Sequence, residues 1–366
     1  MQIPIPTADP MPLPGPMWLL RTLSLLTFYL HMVVMNFALG GAIIALVAGL
    51  RSRSDEHAAR LARQFRGMLP VLVAFTITLG VAALLFVQVL YGPMLYSSSV
   101  LLGVPWMAVI PILIIGYYAF YWSALKNSQG ALWFATLLLL VIGFTLSNNM
   151  TLMLTPERWL EFYKASTAGF HFNFGEATLV PRYLHMVLGA VALAGLFVVI
   201  LGLRERDPQY KQWLVRQGGF WFTGATMINV LVGFWFLVAL PERVRSLFLG
   251  RSGLAAGLLA VSVLLALGAM AHLLMATNPK KGSTAAIIGI VSGLLAAAVM
   301  VFIRDMVRTA YLEPYFRPQT LPVAPQWSVI GLFLVLFVGG LATLYWMLAK
   351  LAAARRGTAE AAAAHD

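Results

Sequence analysis

Residues 181–207 read PRYLHMVLGAVALAGLFVVILGLRERD, and this stretch has the form of a membrane-spanning helix. No residue between His185 and Arg204 is charged, which gives a run close to the roughly 20 apolar residues that cross a bilayer. Arg182 and His185 stand three apart at one end of the run, and a charged cluster closes the other. The pair either anchors the helix at a water interface or holds a group just inside the membrane.

The rest of the chain has the same apolar character. It has 366 residues, is 60% hydrophobic and only 10% charged, and its mean hydropathy is +0.84, whereas soluble domains carry about 25% charged residues. We therefore predict an all-α integral membrane protein with about nine transmembrane helices. The nine apolar segments lie at approximately 20–50, 67–91, 103–125, 131–153, 179–203, 217–240, 252–277, 283–305 and 325–350.

The predicted spans divide the chain into segments. A proline-rich N-terminal segment (1–19) precedes a polytopic membrane domain (20–350), and a cytoplasmic tail (351–366) follows it. The span count favours two four-helix bundles, at 20–153 and 179–305, with a last helix at 325–350. Cysteine is absent, which excludes disulfides, thiolate metal sites and iron–sulfur clusters.

Basic residues are concentrated in alternate loops. The first loop, RSRSDEHAARLARQFR, holds five arginines, while the loops on the opposite side carry most of the acids. The positive-inside rule then places the N-terminus outside and the C-terminus inside. It also explains much of the net charge of +12, so we expect membrane lipid and no nucleic acid as a partner. We expect a multi-pass protein of a bacterial-type inner (cytoplasmic) membrane.

Ionisable groups are scarce within the predicted spans, where every Asp, Glu, Lys and Arg falls near an end. This argues against a transporter driven by buried carboxylates. His31 is different because it lies inside the first span, where an unpaired imidazole is costly. It either hydrogen-bonds to a neighbouring hydroxyl or carbonyl, or it ligates a haem iron.

His185 favours the haem interpretation, because Arg182 lies about one helical turn outward on the same face. Haem b has an iron to ligate and two propionates that prefer water and cations. At the end of the eighth span, Arg304 and Arg308 share a face, and Met300 lies one turn below Arg304. The axial partner of His185 is then Met300 or Met306, although most of the 17 methionines are packing residues.

The sequence resembles a divergent subunit I of the cytochrome bd quinol oxidases, mainly over residues 20–205. YLHMVVMNFALGGAIIAL resembles the first helix of that family, and ITLGVAALLFVQVLYG the second. LSNNMTLMLTPERW resembles the end of its fourth helix, and PRYLHMVLGAVALAGLFV its fifth. The resemblance implies haem ligation by His31 and His185, with a low-spin haem b at His185. RDM at residues 304–306 is similar to the arginine and methionine that complete this haem.

The sequence also departs from the family. Its third span, GVPWMAVIPILIIGYYAFYW, lacks the family's acids for oxygen reduction and proton delivery, and PERVRSLFLGRSG replaces the long quinol-binding loop. The family's acidic haem ligand late in the chain has no counterpart inside a predicted span. We therefore expect the fold and at least one haem to be kept, without the full oxygen-reducing site.

These observations predict a haem b membrane electron carrier, with one or two haems, that exchanges electrons between quinone and a redox partner. The partner is a periplasmic cytochrome c or another redox subunit, and Arg182 and Arg304 hold propionates. Trp159, His171 and Glu176 are the candidate quinone contacts at the outer face. The alternative is a non-haem membrane anchor of an oxidoreductase, or a small-molecule permease, in which Arg182 and His185 are interface anchors.

Overall fold

A computed structural model describes residues 3–166, 168–277 and 282–363, with side chains up to residue 350. Within these ranges, nine helices are long and apolar enough to cross a membrane, so the predicted multi-pass α-helical fold is confirmed. They are α1 (Met17–Arg51), α2 (Glu56–Leu102), α3 (Val104–Lys126), α4 (Gln129–Leu154), α5 (Leu179–Arg204), α6 (Pro208–Ala239), α7 (Gly253–Met275), α8 (Gly282–Leu312) and α9 (Trp327–Ala363).

Short polar side chains begin several of these helices by accepting hydrogen bonds from the first free N–H groups. Asp55 accepts from Ala58 N at 3.1 Å at the start of α2. Asp207 caps α6 and is followed by Pro208, whose fixed φ suits the first helical position. These caps fix the residues at which α2 and α6 begin after the charged loops.

Several helices extend past the predicted ends of the spans. The arginine-rich first loop is mostly helical, because α2 begins at Glu56 and buries Leu61 and Phe65. The predicted end of the second span at residue 91 is a kink: Tyr91 leaves helical geometry (φ −132°, ψ 27°) beside Pro93, and the helix then resumes to Leu102. Hydropathy detects the part of a helix that lies in lipid, whereas packing sets where the helix ends.

The most buried helices are α1 and α5, with 56% of the residues in each apolar window buried inside the protein. They cross closely, since a Cβ on Gly40 would lie 2.0 Å from the Ala190 carbonyl oxygen. A second close crossing joins α5 to α6, where a Cβ on Gly195 would lie 2.6 Å from Phe222 N. Small residues thus bring helix backbones together at both crossings.

The other helices surround this pair. α2 packs on α1, α3 on α4, α6 on α5, and α7 on α8. α9 is peripheral, with 6% of its window buried, and it continues to Ala363, into the predicted cytoplasmic tail. In the proline-rich N-terminal segment, Leu13 is 1% exposed and its N–H donates to the Pro322 carbonyl at 2.8 Å.

Candidate functional site

The two candidate histidine ligands lie on the two central helices. On α1, Nδ1 of His31 is 3.0 Å from the Thr76 carbonyl oxygen of α2. The imidazole also faces Gly80, where a Cβ would lie 2.8 Å from its Cε1 atom. His31 therefore points into the helix contact between α1 and α2.

Arg182 and His185 share one face of α5, as their spacing predicts. The His185 ring stacks on Phe236 of α6 at 6.4 Å between centroids, and the Arg182 guanidinium lies 4.9 Å from the same ring. The imidazole also lies beside Asn229 and Gly233 of α6. The pair faces the protein interior, which disfavours a role confined to anchoring in the lipid interface.

A buried acid lies in the last turns of the eighth helix, near the predicted end of the span. The predicted span ended at residue 305, but α8 runs to Leu312 and encloses Asp305, which is 3% exposed. Asp305 accepts from Arg21 Nε at 2.8 Å and pairs with Arg308 one turn further along α8. The carboxylate thus joins the beginning of α1 to the last turns of α8.

Arg304 connects the two histidine sites. Its guanidinium lies 4.0 Å above the Phe28 ring of α1, and its charge acts on His31. It also interacts electrostatically with Arg182 of α5 and with Arg308. Arg304 therefore lies within electrostatic reach of His31 and of Arg182, and Arg182 lies within reach of His185.

Positive charge exceeds negative charge in this cluster. It contains Arg21, Arg182, Arg304 and Arg308, and the acids that act on them are Asp305 and Glu176. Four cations and two anions leave two positive charges uncompensated. Within the described residues, Arg182 Nε and Nη2 and Arg308 Nε are buried without a hydrogen-bond acceptor.

Such an arrangement fits an anionic cofactor with a metal. Buried charges normally have partners, so unpaired guanidinium nitrogens beside two imidazoles indicate a ligand that carries negative charge. Propionates are anions of the kind that these guanidinium groups would bind, and imidazole is a haem iron ligand. The residues present therefore fit haem b.

Met300 and Met306 of α8 are partly buried and pack against the large hydrophobic cluster at this end of the protein. These contacts are those of packing residues. A pairing of either methionine with His185 remains a prediction.

The three candidate quinone contacts lie in different environments. Trp159 is fully buried, and its Nε1 donates to the Leu152 carbonyl at 2.8 Å, which is a packing role. His171 is 7% exposed, and burial lowers the pKa of its imidazole. Glu176 is partly exposed and accepts from Thr178 Oγ1 at 2.7 Å.

Asn148, near the C-terminal end of α4, holds the loop that carries these residues. Its Nδ2 donates to the His171 carbonyl at 3.2 Å, and its Oδ1 accepts from Asn173 N at 2.7 Å. The clamp fixes residues 171–173 against α4. Any quinone contact in this loop therefore belongs to a rigid surface.

Arg21 and Asp305 are members of the cluster that were not predicted from the sequence. Asp305 and Arg308 stand at i and i+3, the spacing of an ion pair on one helix face, and this was the available signal. Arg21 lies ten residues before His31 and carried no comparable signal. Its role depends on how α1 crosses α8.

Neither a protein-family model nor a curated protein matches the sequence. Among solved structures, the fold is similar to a chain described as "The structure of bd oxidase from Geobacillus thermodenitrificans". The TM-score is 0.69 at 11% identity, covering 91% of this chain and 97% of that chain. At this identity the likeness shows the fold alone, and it relates this nine-helix chain distantly to the fold of a cytochrome bd oxidase.

Proposed function

We propose that this chain is a haem b-containing electron-transfer protein of the cytochrome bd subunit I type, in a bacterial-type cytoplasmic membrane. It exchanges electrons between the quinone pool and a redox partner. The observation that carries the proposal is the arginine cluster around His31 and His185, in which Arg182 Nε and Nη2 are buried without a hydrogen-bond acceptor. The fold similarity to a bd oxidase chain supports a membrane redox protein in general.

Each residue of the cluster has a distinct part in holding the cofactor. His185 ligates the iron of one haem, and His31 is placed to ligate the iron of a second. Arg182 and Arg304 bind propionates, because the charge of each acts on one of the two histidines and Arg182 has free donors. Haem b supplies one-electron chemistry when bound.

Asp305 acts on the arginines around it. Its carboxylate accepts from Arg21 and Arg308, which fixes both side chains at the outer end of α1 and α8. It is also a buried carboxylate late in the chain, of the type that the resemblance associates with haem ligation. Its two ion pairs make the positioning role the one that the contacts support.

The quinone and the redox partner belong to the outer face. Glu176 is the most accessible of the candidate quinone contacts, and it lies close enough to act on Arg182. A periplasmic cytochrome c or another redox subunit would exchange electrons there. Because α3 contains no acidic residue, we do not expect a full oxygen-reducing and proton-delivery site.

The test is a dithionite-reduced minus oxidised visible spectrum of the detergent-purified chain, with pyridine haemochrome quantitation. We expect an alpha band of low-spin haem b, one or two haems per chain, and reduction of that haem by a quinol. A folded, colourless protein would contradict the proposal and favour a non-haem anchor subunit or a small-molecule permease. A haem that no quinol reduces would contradict the electron-carrier role.

A further inference from the structure

The contact between His31 and α2 specifies which ring nitrogen carries the proton. Nδ1 lies 3.0 Å from the Thr76 carbonyl oxygen, and a carbonyl oxygen can only accept. Nδ1 must therefore be the N–H donor in this hydrogen bond. In a neutral imidazole the other nitrogen, Nε2, then has a free lone pair, which is the form that ligates a metal.

Gly80 makes this hydrogen bond possible. In an α-helix the carbonyl of residue 76 faces the N–H of residue 80, so any side chain on residue 80 stands beside that carbonyl. A Cβ at this position would lie 2.8 Å from Cε1 of His31 and 3.0 Å from Nδ1. Real Cβ atoms do not approach so closely, so the imidazole would have to leave the carbonyl.

A similar arrangement occurs at His185. The imidazole interacts with Asn229 of α6, and a Cβ on Gly233, four residues later, would lie 3.1 Å from its Cε1. Here the approach to Asn229 is looser, since Nδ1 does not reach a hydrogen-bond acceptor in good geometry. In both cases the histidine lies on one of the two central helices and the glycine on the next long helix along the chain.

We propose that Gly80, together with the Thr76 carbonyl, is a positioning element that holds His31 in the Nδ1–H tautomer and presents Nε2 as the ligating atom. Gly233 and Asn229 lie in corresponding positions beside His185, but they make no hydrogen bond to its Nδ1, so the proposal is confined to His31. The identity of the group that Nε2 binds rests on the proposed function. The tautomer itself depends only on the geometry of this chain.

The first test needs no bound haem. The full chain is labelled with ¹⁵N-histidine, prepared in lipid without haem, and examined by NMR at neutral pH, with His31→Gln to assign the His31 signals. We expect the Nδ1 signal of His31 in the protonated range and Nε2 in the unprotonated range. The opposite assignment in the wild-type chain would overturn the proposal.

The second test measures haem retention in Gly80→Ala. The matched control is Gly67→Ala on the same helix, where a Cβ meets no atom within 4 Å. Substitutions that disturb the hydrogen-bond partner of a ligating histidine typically weaken metal binding by about 10–100-fold. We therefore expect Gly80→Ala to lose haem in that range and Gly67→Ala to retain it. Equal retention in both variants would overturn the positioning role.

The two tests separate the inference from the proposed function. A wild-type chain that binds no haem would contradict the proposed function, while the NMR assignment would still decide the tautomer. A wild-type chain that binds haem, with Gly80→Ala unaffected, would leave the function standing and remove the positioning role. If Gly80→Ala fails to fold, the wild-type NMR assignment decides.

Discussion

At the scale of single residues, Asp305 stands out because its one carboxylate forms ion pairs with both Arg21 and Arg308. It is almost fully buried, its partner Arg308 has 5% of its side chain exposed, and Arg21 approaches from another helix. Removing one member of a buried pair leaves an uncompensated charge, which costs far more than the net value of the pair. Asp305 is therefore needed as the counter-ion of Arg21 and Arg308, even though the ion pairs themselves add little net stability.

We predict that Asp305→Asn lowers the free energy of unfolding by about 3–5 kcal/mol, because Arg308 keeps its charge and loses its counter-ion. The measurement is unfolding in mixed micelles by SDS titration. The control is Glu313→Gln, whose partner Arg317 is 59% exposed. An exposed pair is worth about 0–1 kcal/mol, so equal effects of the two substitutions would contradict the account.

His171 predicts a dependence of stability on pH. Burial lowers its pKa below the ordinary value of 6.5, so just below that pH the unfolded chain binds a proton and the folded chain does not. The contribution of His171 to stability is present above pH 6.5 and is lost as the pH falls below it. We expect His171→Gln to lose less stability than the wild type when the pH is lowered from 7.5 to 5.5, as measured by thermal shift. If both proteins show the same pH dependence, His171 is not the titrating group.

At the scale of the helices, the sequence predicted all nine spans because apolar length is a strong signal. It predicted the ends less well. The eighth span was predicted to end at residue 305, and α8 continues past Arg304, Asp305 and Arg308 to Leu312. The helix continues because ion pairs and aromatic contacts compensate these charges, and a hydropathy window contains no information about such partners.

The candidate site was predictable only in part for the same reason. The common face of Arg182 and His185 follows from helical periodicity, and both contact Phe236 as a result. The meeting of His31 with Thr76, or of Arg21 with Asp305, depends on how different helices cross. Such contacts between distant residues need the three-dimensional arrangement.

The crossing of α5 and α6 gives a prediction for a single methyl group. A Cβ on Gly195 would lie 2.6 Å from Phe222 N and 2.8 Å from the Gly218 carbonyl oxygen, so the two backbones must separate. We expect Gly195→Ala to destabilise the protein by about 1–3 kcal/mol, the usual cost of overpacking. The control is Gly257→Ala on α7, where a Cβ meets no atom within 4 Å. Equal melting temperatures for the two variants would show that the crossing of α5 and α6 is looser than described.

At the scale of the whole molecule, the orientation in the membrane remains a prediction from the loop charges. Because the chain has no cysteine, single substitutions give clean labelling sites. Ser54→Cys lies in the arginine-containing loop after α1, and Thr320→Cys lies between α8 and α9; both positions are exposed.

With the N-terminus outside, an impermeant maleimide should label Thr320→Cys in intact cells and Ser54→Cys only after permeabilisation. The wild-type chain is the unlabelled control. The reverse labelling pattern would contradict the predicted orientation. It would place Arg182 and Arg304, and with them the proposed quinone contact, at the inner face.

The most direct test of the haem site compares two histidine variants by reduced minus oxidised spectra and pyridine haemochrome. His185→Ala removes the proposed ligand, while His57→Ala alters a histidine whose ring makes tilted contacts with Tyr210 and Trp213 at the other end of α5 and α6. We predict that His185→Ala loses the low-spin alpha band and at least one haem per chain, and that His57→Ala keeps both. Full haem content and an unchanged alpha band in His185→Ala would contradict the assignment of the ligand.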